Sequence, residues 1–463
     1  MKKPELLSPA GTLKNMRYAF AYGADAVYAG QPRYSLRVRN NEFSKENVLE
    51  QGIAEAHAQD RKFFLASNLA PHNNKLKTYI ADLEPIIAMR PDALIMSDPG
   101  LIMMVRERWP EMPVHLSVQS NVVNYAAVKF WQHMGLKRII LSRELSLQEV
   151  GEIRQECPDM ELEVFVHGAL CIAYSGRCLL SGYMSHRDSN QGACTNTCRW
   201  KYKTLAATET GTGDIVPLHL PMHPLQQKPP ETTPEELPIV LLEEETRPGE
   251  LMPAYEDEHG TYIMNSRDLR AVQHVHELTR MGIDSFKIEG RTKSAYYTAR
   301  TTQVYRRAME DAAAGRPFDM GMMDELEGLA NRGYTEGFLR RHPPAEYQNY
   351  EQGASKSDLQ QFVGDVLDVN DGWLTIDVKN HFETGDQMEL VTPSGNHSFC
   401  LPGIIGRDGK KTDAAPGSGH VVKVPLPESV DAGTIDHFAL LVRYLPSSPN
   451  PAFKREFASQ LQG

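Results

Sequence analysis

The sequence is poor in cysteine, with six cysteines among 463 residues. So few cysteines exclude a disulfide-rich scaffold as the basis of the fold. The N-terminus has two lysines but no apolar segment typical of a signal peptide, so we expect a cytoplasmic protein whose thiols stay reduced. No window approaches 18 uncharged apolar residues, and the mean hydropathy is -0.43, so the sequence predicts no membrane span.

The chain also lacks an excess of positive charge, since its formal net charge is -11. This charge argues against a general polyanion binder but still allows a local basic patch that contacts RNA. Hydrolase motifs are missing as well: the sequence contains no HExxH and no GxSxG. His167 and Cys171, four residues apart, are the best Cys–His pair for a peptidase, which is weak support for proteolysis.

Short apolar runs alternate with helical stretches over the first two-thirds of the chain. Eight of these runs have the composition of buried strands: PELLSPAG, DAVYAGQ, KFFLASN, ALIMSDPG, PVHLSVQSN, RIILSRE, LEVFVHG and SFKIEGR. Strand–helix–strand units with short loops are right-handed and parallel, so eight of them predict an α/β fold with a TIM-like barrel over residues 1–345. The Pro-rich stretch and the extra strand candidate TYIMNSRD are assigned to an inserted excursion, residues 203–260 and just beyond.

The pattern changes after residue 345. Short strand candidates separated by Gly, Asn and Asp turns follow one another, among them WLTIDVKN, DQMELVTP and HVVKVPLP. This pattern predicts a small antiparallel β-barrel domain over residues 346–463.

Polar side chains follow the predicted barrel strands where each strand ends. Active sites of such barrels lie at these carboxyl ends, although each single residue could equally be a cap or a turn. The polar residues at the strand ends are Ser8, Asn68, Asp98, Gln119, Asn121, Arg143, Glu144, His167, Glu289 and Arg291.

Four of the six cysteines, Cys171, Cys178, Cys194 and Cys198, follow the seventh strand. Six, fifteen and three residues separate them. They could pack as reduced thiols in the core, but four soft thiolates in one stretch favour a metal site, and one wide gap with one close pair favours an iron–sulfur cluster over a zinc ion. The remaining two cysteines lie far away in sequence, and we expect them to pack as small apolar residues; they are Cys157 and Cys400.

Two stretches combine basic and aromatic residues as a binding site for single-stranded RNA would. The first, RYSLRVRNN, contains Arg33, Tyr34, Arg37 and Arg39. The second, GRTKSAYYTARTTQVYRR, contains Arg291, Lys293, Tyr296, Tyr297, Arg300, Arg306 and Arg307. A solvated helix face explains the second stretch equally well.

The stretch EVFVHGALCIAYSGRCLLS resembles the signature of the collagenase-like peptidases, unassigned peptidase family thirty-two. The residues that match this signature are Glu163, Phe165, Gly168, Cys171, Gly176, Cys178 and Ser181. ELLSPAG near the start and KIEGR at Lys287 to Arg291 also resemble this family. The resemblance covers nearly the whole chain and is strongest to a bacterial branch that hydroxylates tRNA.

The resemblance implies a [4Fe-4S] cluster held by the four clustered cysteines. It also implies an oxygen-independent hydroxylation that gives 5-hydroxyuridine at the tRNA wobble position, with prephenate as the hydroxyl source. Some relatives take the fourth cluster cysteine from the position after S-K-D-L, but this chain has Arg270 there. Cys198 is then the fourth ligand that the resemblance implies.

Prephenate carries two carboxylates, and arginines at the barrel mouth could hold them bidentately. The candidates are Arg37, Arg143 and Arg291, and His167 and Glu289 are further candidates for substrate binding. A collagenase-like peptidase and a non-enzymatic, zinc-stapled scaffold that binds RNA are the alternatives to a tRNA-modifying enzyme.

Overall fold

The computed structural model of the chain describes residues 3–35, 41–69, 71–170, 173–174, 177–178, 202–209, 215–217, 239–244, 251–257, 260–263, 268–331, 333–340 and 359–445. Eight parallel strands form a closed barrel, because the last of them pairs with both the first and the seventh. These strands are β1 (Glu5–Pro9), β2 (Ala26–Gly30), β3 (Lys62–Ser67), β4 (Ala93–Met96), β5 (Val114–Leu116), β6 (Arg138–Ile140), β7 (Glu161–Ala169) and β16 (Ser285–Ile288). The predicted TIM-like barrel is confirmed.

Helices alternate with the barrel strands and cover them from outside. They are α1 (Leu13–Ala21), α2 (Glu46–Ala58), α3 (Asn73–Ala88), α4 (Pro99–Arg108), α5 (Tyr125–His133), α6 (Leu147–Glu156), α7 (Val275–Met281), α8 (Ala295–Ala313) and α9 (Gly321–Glu327). Local sequence fixes where several of them start: the Ser146 hydroxyl and the Glu149 carboxylate form a capping box at α6, and Ser294 caps α8. Within the described ranges no helix has the length and apolar character needed to cross a membrane.

Shorter strands follow the seventh barrel strand. β8 (Ala173–Tyr174) and β9 (Arg177–Cys178) form a hairpin. A five-stranded antiparallel sheet then contains β10 (Tyr202–Glu209), β11 (Ile215–Pro217), β12 (Ile239–Glu244), β13 (Leu251–Asp257) and β14 (Gly260–Ile263). Two further strands extend the barrel sheet beside β7: β15 (Asp268–Arg270) and β17 (Tyr334–Thr335).

The C-terminal domain is an antiparallel sheet with its own apolar core, as the turn-rich sequence predicted. Its strands are β18 (Gln360–Asn370), β19 (Trp373–Val378), β20 (Phe382–Glu383), β21 (Gln387–Thr392), β22 (Gly395–Cys400), β23 (Ile404–Ile405), β24 (Lys411–Thr412), β25 (Ala414–Ala415), β26 (Val421–Pro425) and β27 (Leu440–Tyr444). Eight of them pair in the order β22-β21-β27-β18-β19-β26-β23-β24, and β20 pairs with β25.

Helix α8 packs against the C-terminal domain and joins it to the barrel. Arg300 is fully buried, and its guanidinium donates to the carboxylate of Glu389 at 2.5 Å. On the barrel side, Arg306 is nearly buried and pairs with Asp25 at 2.5 Å. The basic stretch in α8 therefore lies largely in the interdomain core, and its predictions as an RNA-binding surface and as a solvated face are both wrong here.

The first basic stretch is described only up to residue 35. Arg33 is exposed and pairs with Asp82 at 3.0 Å. The Tyr34 ring is fully buried against Tyr79, so the prediction that it stacks on a base is wrong. Arg39 lies outside the described residues.

The two isolated cysteines differ in their surroundings. Cys157 is 3% exposed and packs in the core, as predicted. Cys400 is exposed at the edge strand β22, so the prediction that it packs as a small apolar residue is wrong. Successive side chains of a strand point to opposite faces, and Cys400 lies on the face opposite to Phe399, which packs against the core of the domain.

Candidate active site at the carboxyl end of the barrel

The turn after β16 lies directly against the end of β7. The Glu289 amide donates a hydrogen bond of 2.8 Å to the His167 carbonyl. Gly168 next to it has φ +103°, and a Cβ on this residue would lie 2.4 Å from the Glu289 carbonyl oxygen. Only glycine permits this conformation and this close approach, so Gly168 determines where Glu289 and Arg291 emerge.

Arg143 lies at the mouth over an aromatic ring. Its guanidinium carbon is 3.8 Å from the centre of the Phe165 ring, and one of its nitrogens donates to the Ala169 carbonyl. Another nitrogen lies 3.7 Å from the Glu289 carboxylate. Both charged side chains are only about one-seventh exposed, so their interaction is only partly screened by water.

Arg291 occupies an equivalent position over Tyr28. The two groups are 5.7 Å apart, within the range of a cation–π interaction. Arg291 also donates a hydrogen bond of 3.0 Å to the Ser35 hydroxyl. A Cβ on Gly30 would lie 2.9 Å from the Arg291 guanidinium, so a glycine at this position makes room for the arginine.

Lys287 lies below the mouth between the two aromatic rings. Its ammonium is 4.4 Å from the centre of the Tyr28 ring and 5.4 Å from that of Phe165. It donates a hydrogen bond of 3.0 Å to the Glu163 carboxylate, which also accepts from Arg138 at 3.1 Å. Burial lowers the pKa of Lys287, and the Glu163 carboxylate opposes that shift.

Cations and aromatic rings thus alternate across the mouth and its floor in the order Arg143, Phe165, Lys287, Tyr28, Arg291. Glu289 lies between the two halves of this row, 3.7 Å from Arg143 and 3.4 Å from the Tyr28 hydroxyl. The Nε atoms of both arginines are buried and make no hydrogen bond to any described residue. A buried donor without a partner is costly, so these two arginines are suited to an anionic ligand.

His167 lies on the other side of the β7 backbone from this row. It is 1% exposed, and its ring centre lies 5.4 to 5.8 Å from the rings of three tyrosines. These are Tyr297 and Tyr305 of α8 and Tyr334 of β17. The structure therefore places His167 between the barrel sheet and helix α8, while Arg143, Glu289 and Arg291 meet at the mouth.

Burial lowers the pKa values of two histidines, His167 and His115. It lowers the pKa of His167 to about 3, and the cations Arg270 and Lys293 act in the same direction. Burial also lowers the pKa of His115 well below its ordinary value, with Arg138 adding to the effect. Both rings are neutral at physiological pH, so neither contributes a positive charge to the fold.

Arg270 stands where some relatives of the resembled family carry a cysteine. It lies in β15 opposite His167 of β7, next to the strand that leads into the cysteine-rich stretch. Its side chain pairs with Glu327 and lies 4.7 Å from the Tyr334 ring centre. The arginine is thus held by protein groups on the side of α9 and β17.

Several polar residues at the strand ends have structural partners. The Ser8 hydroxyl is 2.8 Å from that of Thr302 in α8, so Ser8 faces outward. Asp98 caps α4 by accepting from the Leu101 amide at 2.9 Å. Asn121 adopts a left-handed conformation with φ 50°. These three residues therefore have ordinary structural roles, which was the alternative to a role in the site.

Other predicted site residues lie outside the ranges that the structure describes. Arg37 falls in 36–40, and Cys171, Cys194 and Cys198 fall in undescribed stretches. For Cys178 the structure gives the backbone, as the last residue of β9, opposite Ala173 of β8. Among the described residues no group of three or more His, Cys, Asp or Glu side chains could hold a metal ion.

Three residues of the row were not identified as site residues from sequence: Tyr28, Phe165 and Lys287. The sequence contains one signal of a buried charge pair: a lysine in SFKI and a glutamate in LEVFV interrupt otherwise apolar strands. A charge in a strand that is buried on both faces needs a partner, which points to a pair such as Lys287 and Glu163.

Comparison with known proteins gives consistent matches over both domains. The model of peptidase family U32 matches residues 11–349, and that of the U32 C-terminal domain matches residues 358–435. The chain is 62% identical over 447 residues to tRNA hydroxylation protein P of Escherichia coli, covering 96% of this chain and 97% of that protein. It is 60% identical over 449 residues to the protein of the same name from Haemophilus influenzae, covering 96% of each.

Among solved structures, a U32 peptidase matches with a TM-score of 0.32 and 12% identity. The match covers 36% of this chain and 70% of that structure.

Proposed function

The chain belongs to peptidase family U32, and from this premise we propose that it hydroxylates a wobble uridine of tRNA to 5-hydroxyuridine without molecular oxygen. The observation that carries the proposal is the 62% identity, across both domains, with tRNA hydroxylation protein P of Escherichia coli. A uridine in an anticodon loop is accessible, and an enzyme that modifies a base takes it out of the stack into a pocket. The barrel mouth is the pocket that we assign to it.

We assign a [4Fe-4S] cluster to Cys171, Cys178, Cys194 and Cys198. The donor set fits such a group, because four thiols follow one strand end and thiolates are the preferred ligands of iron–sulfur clusters. The described β7 ends at Ala169, two residues before Cys171, so this stretch begins at the carboxyl end of the barrel. When bound, the cluster would supply Lewis-acid or one-electron chemistry beside the mouth.

The hydroxyl source that we assign is prephenate, a dicarboxylate. Arg143 and Arg291 are the described side chains that suit its carboxylates, since the Nε of each is buried and makes no hydrogen bond to any residue that the structure describes. The Arg143 guanidinium lies 3.8 Å from the Phe165 ring centre and that of Arg291 5.7 Å from the Tyr28 ring centre, and the planar fork of a guanidinium favours bidentate binding of a carboxylate. Glu289 lies 3.7 Å from Arg143, so its carboxylate partly neutralises that guanidinium until a ligand binds. Arg37 remains a candidate third cation.

The test is nucleoside mass spectrometry of tRNA from a bacterial strain that lacks this protein, grown without oxygen. Anaerobic growth matters because an oxygen-dependent enzyme could supply the same nucleoside. We expect 5-hydroxyuridine and its derivatives to disappear and to return when the gene is restored. Normal levels in the strain without the protein, with no second enzyme supplying them, would overturn the proposal.

A separate test addresses the cofactor. Protein purified without oxygen should be brown and contain about four irons per chain, the content of a cubane cluster. A colourless protein with one zinc per chain would favour a zinc-stapled scaffold instead. Cleavage of casein or collagen by the pure protein, abolished by one substitution, would favour a peptidase.

A further inference from the structure

Strand β19 carries a partly exposed tryptophan on the outer face of the C-terminal sheet. Leu374 and Ile376 lie in the core of the domain, fully buried. Side chains alternate between the two faces of a strand, so Trp373 and Thr375 lie on the outer face. Trp373 is only partly covered there, which leaves an aromatic surface open to a partner.

Cations continue this face across the neighbouring strands. Lys423 of β26 stands opposite Thr375 of β19. Ile405 of β23 stands opposite Lys423, and Lys411 of β24 stands opposite Ile405. Residues paired in register share a face, so these four side chains form one row across four strands, which Asp368 of β18, opposite Thr375, ends on its other side.

A groove of about 400 Å³ lies along this row. Trp373, Lys423 and Arg407 line it, the last from the turn between β23 and β24. We call Trp373, Arg407, Lys411 and Lys423 the basic face. The three cations of the basic face are exposed and form no ion pair with any residue of the described ranges.

Unpaired cations are unexpected on a chain with a net charge of -11, because acidic side chains are abundant enough to pair with them. Protein-binding surfaces are depleted in lysine, whereas nucleic-acid-binding surfaces combine lysine and arginine with aromatic rings. The composition of the basic face therefore favours a polyanion with planar groups over another protein.

Strand β19 connects this face with the active-site end of the barrel. Lys379, directly after β19, and Lys14, in the first turn of α1, both reach the Asp365 carboxylate, at 3.7 and 2.8 Å. The first turn of α1 follows barrel strand β1, so this contact lies at the same end as the mouth. From Val378 to Trp373 the strand spans about 17 Å at about 3.4 Å per residue.

We propose that the basic face binds the phosphate backbone of the RNA substrate, away from the nucleotide that enters the barrel mouth. The inference rests on the proposed function, which supplies the RNA. Lys411, Lys423 and Arg407 neutralise phosphates, and Trp373 stacks on a base or ribose in the groove. This contact positions the RNA and carries no sequence information, because phosphates are the same in every tRNA.

The test compares two double variants in binding to a full-length tRNA transcript over a range of salt concentrations. K411Q/K423Q removes two cations of the basic face. K129Q/K137Q removes two exposed lysines of the barrel domain, one midway along α5 and one in the turn before β6. We expect K411Q/K423Q to bind about ten-fold more weakly at low salt, and its slope of log affinity against log salt to fall by about 1.5 to 2, as for two lost phosphate contacts. K129Q/K137Q should bind like the unchanged protein.

The aromatic contribution is tested with Trp373→Leu, and Phe130→Ala is its control because Phe130 is an exposed ring on α5. Trp373→Leu should weaken tRNA binding about five-fold or more without changing the salt slope, since stacking releases no counterions. Unchanged affinity in K411Q/K423Q would overturn the inference, whatever the effect of Trp373→Leu.

The results separate the two proposals. If K411Q/K423Q binds tRNA as tightly as the unchanged protein and both restore 5-hydroxyuridine, the basic face is not an RNA site while the proposed function stands. If K411Q/K423Q loses affinity but tRNA from cells without the protein keeps its 5-hydroxyuridine, the basic face binds RNA and the proposed reaction is wrong.

Discussion

The Lys287 ammonium donates a hydrogen bond of 3.0 Å to the Glu163 carboxylate inside the barrel, and neither side chain is more than 4% exposed. The pair lies directly below the aromatic rings that carry the arginines of the mouth. Breaking a buried pair by removing one partner costs about 3 kcal/mol or more. Lys287→Met should therefore lower the free energy of unfolding by about 3 kcal/mol in urea titrations.

The double variant Lys287→Met/Glu163→Gln should be more stable than Lys287→Met alone. In Lys287→Met the buried Glu163 carboxylate keeps only Arg138 of its two cations, whereas in the double variant it carries no charge and Arg138 still pairs with Glu5 and Glu161. Lys129→Met is the control, since Lys129 forms an exposed pair with Glu156 and its loss should leave stability nearly unchanged. Strictly additive effects of the two barrel substitutions would show that Lys287 and Glu163 do not interact.

Gly168→Ala should destabilise the protein by about 3 kcal/mol, from left-handed strain and overlap with the Glu289 carbonyl. Gly282→Ala is a matched control: its φ is +81°, but no atom lies within 4 Å of its Cβ, so strain alone should cost about 1 kcal/mol. Thermal and urea unfolding of the two variants measure these losses of stability. Equal losses would mean that the close approach to Glu289 does not contribute.

Acidification should destabilise the fold through His167. Its folded pKa is about 3, below the ordinary value of 6.5, so the unfolded chain binds a proton that the folded chain does not. Stability from this residue is complete above pH 6.5 and is lost as the pH falls toward 3, by up to about 1.4 kcal/mol per pH unit. His167→Gln should flatten the dependence of unfolding free energy on pH between 6 and 4.

The control for this titration is His420→Asn, because His420 is exposed in the folded chain. It should keep the pH dependence of the unchanged protein. His115 is also buried with a lowered pKa, so His167→Gln should retain part of the acid sensitivity. An unchanged slope in His167→Gln would contradict the account of His167 as a buried neutral ring.

Arg143→Lys and Arg291→Lys should each weaken the apparent affinity for prephenate about ten-fold or more. A lysine keeps the charge but loses the planar fork that lies over Phe165 or Tyr28. The iron content should not change. Arg316→Lys, an exposed site that pairs with Asp311, is the control, and titration of the protein with prephenate is the measurement.

The outcome that would contradict this prediction is unchanged prephenate affinity in both variants of the mouth. Arg37 would then be the next residue to replace. Loss of iron together with affinity would instead indicate that the substitution disturbs the stretch that follows β7.

The barrel was predictable because its strands are short, apolar and regularly spaced between helices. The pairing of Lys287 with Glu163 was not, since these residues are 124 positions apart and only barrel closure brings them together. The basic pattern of α8 suggested RNA for a similar reason: Glu389, the partner of Arg300, lies 89 positions later in another domain. Local sequence shows which residues are charged, but tertiary contacts decide which of them remain exposed.

Cluster-dependent hydroxylation of tRNA is the central claim, and a pair of cysteine variants tests it most directly. Cys178 ends β9 in the stretch assigned to the cluster, whereas Cys157 lies 3% exposed in the barrel core. The measurement is mass spectrometry of tRNA nucleosides from an anaerobically grown strain that lacks the protein and carries either variant. We predict that Cys157→Ala restores 5-hydroxyuridine and that Cys178→Ala, which loses its iron, does not. Normal 5-hydroxyuridine in cells with only Cys178→Ala, with no other enzyme supplying it, would contradict the claim.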